Sequence, residues 1–342
     1  MDLKEKIKAY SESLGIELFA VAPVEFYSEY LAETKNRMND IHVDLNDYMI
    51  DKNNKDFFKQ LSDPYKTLPS AKSIIILGVY SYDEKSDYKH CNKELRCKTA
   101  RTYAYYPVIR DLTQKLTGYI ENLGYEASEG QNIPLKYVAD RTGLGSYGKN
   151  GLLLTSRYGS FLALRNIITN MPLEPDSYQN QDYCKGCEAC LKACPTKALY
   201  SPYKVNPKLC LNPVGRKEEP ISPHMRKNMR TWLRGCDLCQ EACPVNRRLT
   251  PRSVHNLAGF NPKNHESHKD LDGLEKCPEA LELIKKQYPW TVRRNAVISL
   301  ANIGKYSKTI IVEIQNQMAG MDEKLKEYFS WAIAELNAVK DK

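Results

Sequence analysis

Eight of the eleven cysteines fall into two groups whose spacing could do redox chemistry. The first, in "QDYCKGCEACLKACPTKAL", holds Cys184, Cys187, Cys190 and Cys194, with Pro195 directly after the last. These intervals reproduce the C-x2-C-x2-C-x3-C-P run of bacterial two-cluster ferredoxins. The second group is Cys210, then Cys236, Cys239 and Cys243, followed by Pro244. In that geometry three close cysteines grip one iron–sulfur cube, and the short helix after them carries the fourth to the other cube. The spacing therefore assigns Cys184, Cys187, Cys190 and Cys243 to one [4Fe-4S] cluster. Cys194, Cys210, Cys236 and Cys239 go to a second. Structural zinc is the competing chemistry, because paired C-x2-C units also make four-thiolate sites. Zinc would need neither the third cysteine of the first run nor either Cys-Pro pair, so the pattern favours iron–sulfur. Cys91, Cys97 and Cys277 are left as unligated thiols.

Composition narrows the setting. With 342 residues, 42% of them apolar, the chain can build two or three domains. No run approaches the roughly eighteen apolar residues of a spanning helix, and "MDLKEKIKAYSESLG" has no apolar signal core. The expectation is a cytoplasmic protein with no membrane contact, where clustered thiols bind metal. Formal charge is +8. Two oxidised clusters at about −2 each would bring it to about +4, so charge alone points only weakly to nucleic acid. Residues 211–260 nevertheless hold nine Lys/Arg against four Asp/Glu, among them Arg226, Lys227, Arg230, Arg234, Arg247 and Arg248. Two readings stand: a phosphate-contacting face for tRNA, or compensation for two anionic clusters.

The elements that must position these groups are legible from pattern. "SAKSIIILGVYSYD" predicts a buried strand at Ser73–Tyr80, and "RDLTQKLTGYIENLGYEA" a helix ended by glycine before a short strand. Helices alternate with strands up to about residue 175, so residues 1–175 are expected to form an α/β (α+β) domain with a layered core. A polar linker leads to the cluster domain, 176–260. From 270 to 342 the chain reads as helical. "VRRNAVISLANI" (292–303) and "LKEYFSWAIAEL" (325–336) align at an offset of 33 residues, the signature of HEAT-like helical repeats.

The stretch "RTGLGSYGKNGLLLT" presents Gly143, Gly145, Gly148, Lys149 and Asn150. Its G-x-G-x-x-G spacing fits the dinucleotide fingerprint, but it follows a helical pattern and precedes a strand-like run. The fingerprint needs strand, turn and then helix. A tight turn and a ligand-cradling loop both remain open from spacing. "DIHVDL" places Asp40 and His42 in part of a D-x-H-x-x-G cobalt-ligand pattern, but Leu45 replaces the glycine, so His42 reads as solvent-facing.

Together, "DPYKTLPSAKSIII", "RTGLGSYGKNGLLLTSRYGSF", the two cysteine groups and the helical tail resemble the epoxyqueuosine reductase family over nearly the whole chain. Reductive dehalogenases are functional cousins of that family. The resemblance implies a nitroreductase-like cobalamin-binding domain beside a two-cluster ferredoxin module. It also implies base-off cobalamin with no histidine on cobalt, and electrons from a flavodoxin or ferredoxin. The chemistry implied is reductive removal of an epoxide oxygen, making queuosine in a tRNA anticodon. Gly143, Gly145, Gly148, Lys149 and Asn150, with Gly159 and Ser160 of "RYGS", would help enclose the corrinoid. Two positions depart from the family. Gln131, in "QNIP", stands where the family has its proton-donating aspartate, and an amide is no general acid. Pro107 falls where the family has a corrinoid-pocket histidine. This points to a divergent paralogue, whose substrate could also be another epoxide or an organohalide, or to an electron-transfer or corrinoid-activating protein with no substrate of its own. Candidate replacement acids are Tyr103, Tyr105, Tyr106, Tyr137, Tyr147 and Asp140, with Tyr105 and Tyr106 preferred.

Overall fold

The architecture is organised by the strand "SIIILGVY", which is apolar on both faces and so must be covered on both sides. The computed structural model of the protein describes residues 2–42, 63–82, 95–130, 133–177, 181–251, 279–305 and 307–340. All eight residues of Ser73–Tyr80 are buried. Leu18–Pro23 and Leu162–Thr169 flank this strand, and Ala127–Glu129 pairs with the outer edge of Leu162–Thr169. Every pairing in this sheet is antiparallel.

Side chains alternate along the central strand and feed two cores. Ile75, Leu77 and Val79 enter one, Ile74 and Ile76 the other. The first core is closed by helices Leu3–Ser13 and Tyr106–Asn122, which contribute Ile7 and the stripe Ile109, Leu112, Leu116 and Ile120. Pro107 lies in the first turn of the longer helix, where a missing N–H costs nothing. The second core is closed by helices Ser28–Asp40 and Leu135–Arg141, and by the antiparallel hairpin Ser146–Tyr147/Leu153–Leu154. The layered mixed fold expected from the alternating pattern is present.

A third core joins the cysteine-bearing stretch to the tail. Leu211, Ile221, Met225, Met229 and Leu233 pack with Val292, Ala296, Ile314, Phe329 and Leu336. Both aligned tail stretches are helical, within Trp290–Ile303 and Glu323–Lys340, and the two helices pack against each other. Gly304, with φ +68°, ends the first in the left-handed conformation.

Arg294 on that helix had no signal in the sequence beyond its charge. It is completely buried and donates to the carbonyl oxygens of Lys217 (2.6 Å), Gly215 (3.1 Å) and Glu219 (3.3 Å). Its guanidinium lies 5.1 Å from the Trp290 ring centroid, and burial lowers its pKa to about 10, so it stays charged at neutral pH. The tail thereby satisfies the turn that follows Cys210. Arg294→Leu keeps the volume but strands these carbonyls, and should lower unfolding stability by at least about 2 kcal/mol. Urea unfolding of the two proteins measures this directly, and a change within about 0.5 kcal/mol would mean the carbonyls find other partners.

Candidate iron–sulfur and cofactor site

The glycine-rich stretch is a hairpin hinge. Gly143 has φ +74°, and a Cβ at Gly145 would lie 2.5 Å from the Leu154 carbonyl oxygen of the partner strand. The motif follows helix Leu135–Arg141 and opens no helix, so a dinucleotide fingerprint is excluded by topology. Asp140, at the end of that helix, accepts the Tyr147 backbone N–H at 2.9 Å and pins the hairpin. Burial raises the Asp140 pKa, opposed by this hydrogen bond and by Arg141. Lys149 extends the other way, its Nζ donating to the Cys187 carbonyl at 2.9 Å.

Gly159 and Ser160 dock the sheet domain onto the second cysteine group. Ser160 donates its N–H to Asn246 Oδ1 and its hydroxyl to Gln240 Oε1, each at 2.9 Å, and accepts from Asn246 Nδ2. Gly159 has φ +55°, and a Cβ there would meet Asn246 Oδ1 at 2.0 Å. A buried ion pair completes the joint. The Arg101 backbone N–H and Nη1 both donate to Asp237 Oδ2, at 2.9 and 3.1 Å, and Nη1 reaches Glu241 at 3.3 Å. Beside it, Lys98–Thr99 pairs in parallel with Trp232–Arg234.

This joint encloses a cavity of about 450 Å³. Cys194, Cys210, Cys236 and Cys239 line it, together with Tyr147, Asn150, Leu152 and Ser160. A second cavity, of about 570 Å³, lies on the other side of Tyr30, Tyr137 and Tyr147, which border both. Cys184 lines this second space. The thiols respond to burial and to one another, across the expected sets as well as within them, since Cys190 adds to the rise at Cys239. Burial, with Cys184 and Cys243 adding to it, pushes Cys190 up to about 11. Burial likewise raises Cys210, Cys236 and Cys239, with Cys194 contributing at Cys210 and Cys236. Among the described residues no three His, Cys, Asp or Glu side chains form a group that could hold a metal ion. A mononuclear zinc site would need thiolates within about 4 Å of one another, given its 2.3 Å Zn–S bonds. A four-iron cube binds each thiolate through a different iron and takes a wider set.

The cavity also suits a flat macrocycle. Its walls are apolar (Ile133, Leu135, Leu162, Leu164) and tyrosine-lined, with Lys136 and Asn150 as polar edges. Ser146 Oγ, on the wall of the second cavity, is buried and has no hydrogen-bond partner among the described residues.

Several sequence expectations need correction. Tyr105 is in the core beneath the sheet, 3% exposed, and does not border either cavity; Tyr106 borders the first and Asp140 the second. Arg226 cannot serve a phosphate face. It is buried, donates to the Ile221 carbonyl at 2.8 Å and lies 4.2 Å from the Tyr328 ring centroid. Arg234 stacks at 4.4 Å on Tyr103, while Arg230, Arg247 and Arg248 are exposed. Of the glycine-loop residues, Asn150 borders the first cavity, while Gly143, Gly145, Gly148 and Lys149 do not. His42 is exposed, as read from sequence. Cys97 is fully buried, its thiol pushed up to about 12 by burial. Gln131, Leu45, Cys91 and Cys277 lie outside the described residues.

Residues 183–246 match the family described as a 4Fe-4S double cluster binding domain, a span that contains all eight grouped cysteines. The molecule is an iron–sulfur protein built around that module. An epoxyqueuosine reductase of Synechocystis sp. is 32% identical over 252 residues, 68% of this chain and 84% of the relative. That of Bacillus cereus is 31% identical over 219 residues, 61% of this chain, and the match spans only 55% of the relative's length. The solved Streptococcus thermophilus epoxyqueuosine reductase shares the fold at TM-score 0.79 and 25% identity, over 99% of this chain and 91% of that one. An epoxyqueuosine reductase solved with an epoxyqueuosine-modified tRNA stem loop shares it at TM-score 0.70 and 22% identity, over 98% and 99%. The chain belongs to the epoxyqueuosine reductase family, a family of oxidoreductases. Among the described residues no helix is long and apolar enough to cross a membrane.

Breaking the joint should loosen the cluster module. Arg101→Ala leaves Asp237 charged and buried, which costs about 3–5 kcal/mol. Gly159→Ala forces a left-handed alanine against Asn246, costing about 1–2 kcal/mol before the clash is counted. Both should lower the midpoint of thermal unfolding and speed bleaching of the visible cluster absorbance in air. Unchanged bleaching in both variants would show that the joint does not protect the clusters.

Proposed function

We propose that the chain is a corrinoid-dependent iron–sulfur reductase that removes the epoxide oxygen of epoxyqueuosine in tRNA. The observation that carries this is the shared cavity, lined both by Cys194, Cys210, Cys236 and Cys239 and by Tyr147 and Asn150 of the glycine-rich hairpin. Cys184, Cys187, Cys190 and Cys243 hold one [4Fe-4S] cluster, and the four cavity-lining cysteines hold the other. A flavodoxin or ferredoxin supplies the electrons. Cobalamin, when bound in the cavity, supplies a strongly reducing, nucleophilic cobalt centre.

The chain's own residues do the rest. Apolar walls and tyrosines exclude water, Asn150 and Lys136 present polar groups at the edge, and the joint at Arg101, Asp237 and Ser160 holds the cysteine side against the hairpin. A nucleic-acid partner is supported by the family member solved with a modified tRNA stem loop. On this chain the exposed Arg230, Arg247 and Arg248 are the cations free of the buried network around Arg226.

Anaerobically purified protein incubated with cobalamin should contain about eight irons and about one base-off cobalamin. Cys239→Ala should lower the iron to about four and roughly halve the visible absorbance. Eight irons with no retained cobalamin would leave an electron-transfer protein, and bound zinc without iron would overturn the whole reading.

A further inference from the structure

Removing an epoxide oxygen as water takes two electrons and two protons, and the first proton must reach the oxygen as its carbon–oxygen bond breaks. The described wall of the first cavity offers a single carboxylate, Asp237, and it is committed to Arg101. The remaining acids there are phenols and the Lys136 ammonium.

Their surroundings separate them. Tyr103 already donates its proton to Asn212 Oδ1 at 2.5 Å. Tyr137 gives its own to Glu29 at 3.3 Å while accepting from Arg141. Burial raises the Tyr30 pKa and makes it a poorer acid. Tyr106 is edge-on against Tyr103, with ring centroids 5.4 Å apart. The Lys136 ammonium donates to the Gly151 carbonyl at 2.7 Å and lies 6.0 Å from the Tyr147 ring centroid. Tyr147 borders both cavities, as Tyr30 and Tyr137 do, but it alone of the phenols combines a backbone pinned by Asp140 with the Lys136 ammonium beside its ring. The neighbouring cations Arg37 and Lys136 can only donate, so neither takes the phenol proton from a ligand.

We propose that Tyr147 is the proton donor of the reaction, standing in for the acid that Gln131 cannot provide. This rests on the reductase function proposed above. As the first epoxide carbon–oxygen bond breaks, the oxygen keeps the bonding electron pair and takes the Tyr147 proton. The second bond breaks when the resulting hydroxyl leaves with the second proton as water, and the two supplied electrons complete the alkene. The phenolate that remains is held by Arg37 and Lys136 until water returns its proton. The second proton comes from solvent, and the two electrons from the flavodoxin or ferredoxin through the clusters. Epoxide, two electrons and two protons thus become alkene and water.

The test uses full-length, cluster-loaded protein, Tyr147→Phe beside wild type, and anticodon stem loops carrying epoxyqueuosine or queuosine. Binding is read first, by fluorescence anisotropy. A phenol that donates to the epoxide oxygen makes wild type prefer the epoxide stem loop by about 2- to 10-fold, and Tyr147→Phe loses that preference while keeping its affinity for the product. Single-turnover conversion with cobalamin is read second. It should fall about 100-fold or more in Tyr147→Phe at equal iron content, and the solvent deuterium isotope effect should shrink. A phenylalanine variant that keeps both the preference and a rate within threefold of wild type overturns the assignment. Stem loops that bind wild type without conversion overturn the epoxyqueuosine reading, and the role of Tyr147 falls with it.

Discussion

The ion pair between Arg101 and Asp237 is the constraint on which the rest of the site depends. Asp237 is fully buried, sits between two cysteines of the second group, and receives two hydrogen bonds from Arg101 and one from Gln240 at 2.8 Å. A buried pair of this kind adds little net stability over an apolar replacement, but removing one partner is costly. It therefore acts as a selector. The arginine comes from the segment leading into the Tyr106–Asn122 helix, so only one placement of the sheet domain on the cysteine module satisfies the carboxylate. Tyr82 and Phe161 lie near the guanidinium, at 5.1 and 4.9 Å, and keep water from replacing the partner.

Given that joint, the cavity follows. The hairpin is carried by helix Leu135–Arg141 and packed on the sheet, while the cysteines lie in a stretch whose Leu211, Met225 and Leu233 pack on the tail. Neither side bounds the space alone. Apolar cores supply the energy on each side, and polar contacts set their relation: Arg101 with Asp237, Ser160 with Gln240 and Asn246, and Arg294 with the carbonyls after Cys210. Such buried polar networks give register rather than strength, and one missing member leaves the others unpaired.

Sequence made the elements legible where one physical signal dominated. Ser73–Tyr80 is apolar on both faces, and Ile109, Leu112, Leu116 and Ile120 keep a helical interval, so local pattern was enough. The cysteine groups were legible because cluster chemistry constrains spacing directly. What sequence hid was pairing at a distance. Arg226 read as surface charge and Arg294 gave no signal beyond its charge. Nothing local shows that distant Tyr328 will cover the first or that the carbonyls of Gly215 and Lys217 will receive the second. Tyr105 and Tyr106 are adjacent and look alike, yet a helical start turns one into the core and the other toward the cavity. Gly159 read as part of a cofactor loop, although its left-handed backbone chiefly serves the approach of Asn246.

The two cysteine sets also differ in their surroundings. The turn between Cys184 and Cys187 is open to solvent at Lys185 and Gly186, whereas Cys194, Cys210, Cys236 and Cys239 all line the cavity at the joint. Burial raises the thiols at Cys210, Cys236 and Cys239, which means that this space disfavours added negative charge. Iron reverses that logic by supplying the positive charge the thiolates need, so loading the site and closing the joint stabilise one another. Lys136 acts against the burial, because its ammonium favours the charged form of Cys210. A cation on the cavity wall thus offsets part of the cost of holding negative charge there.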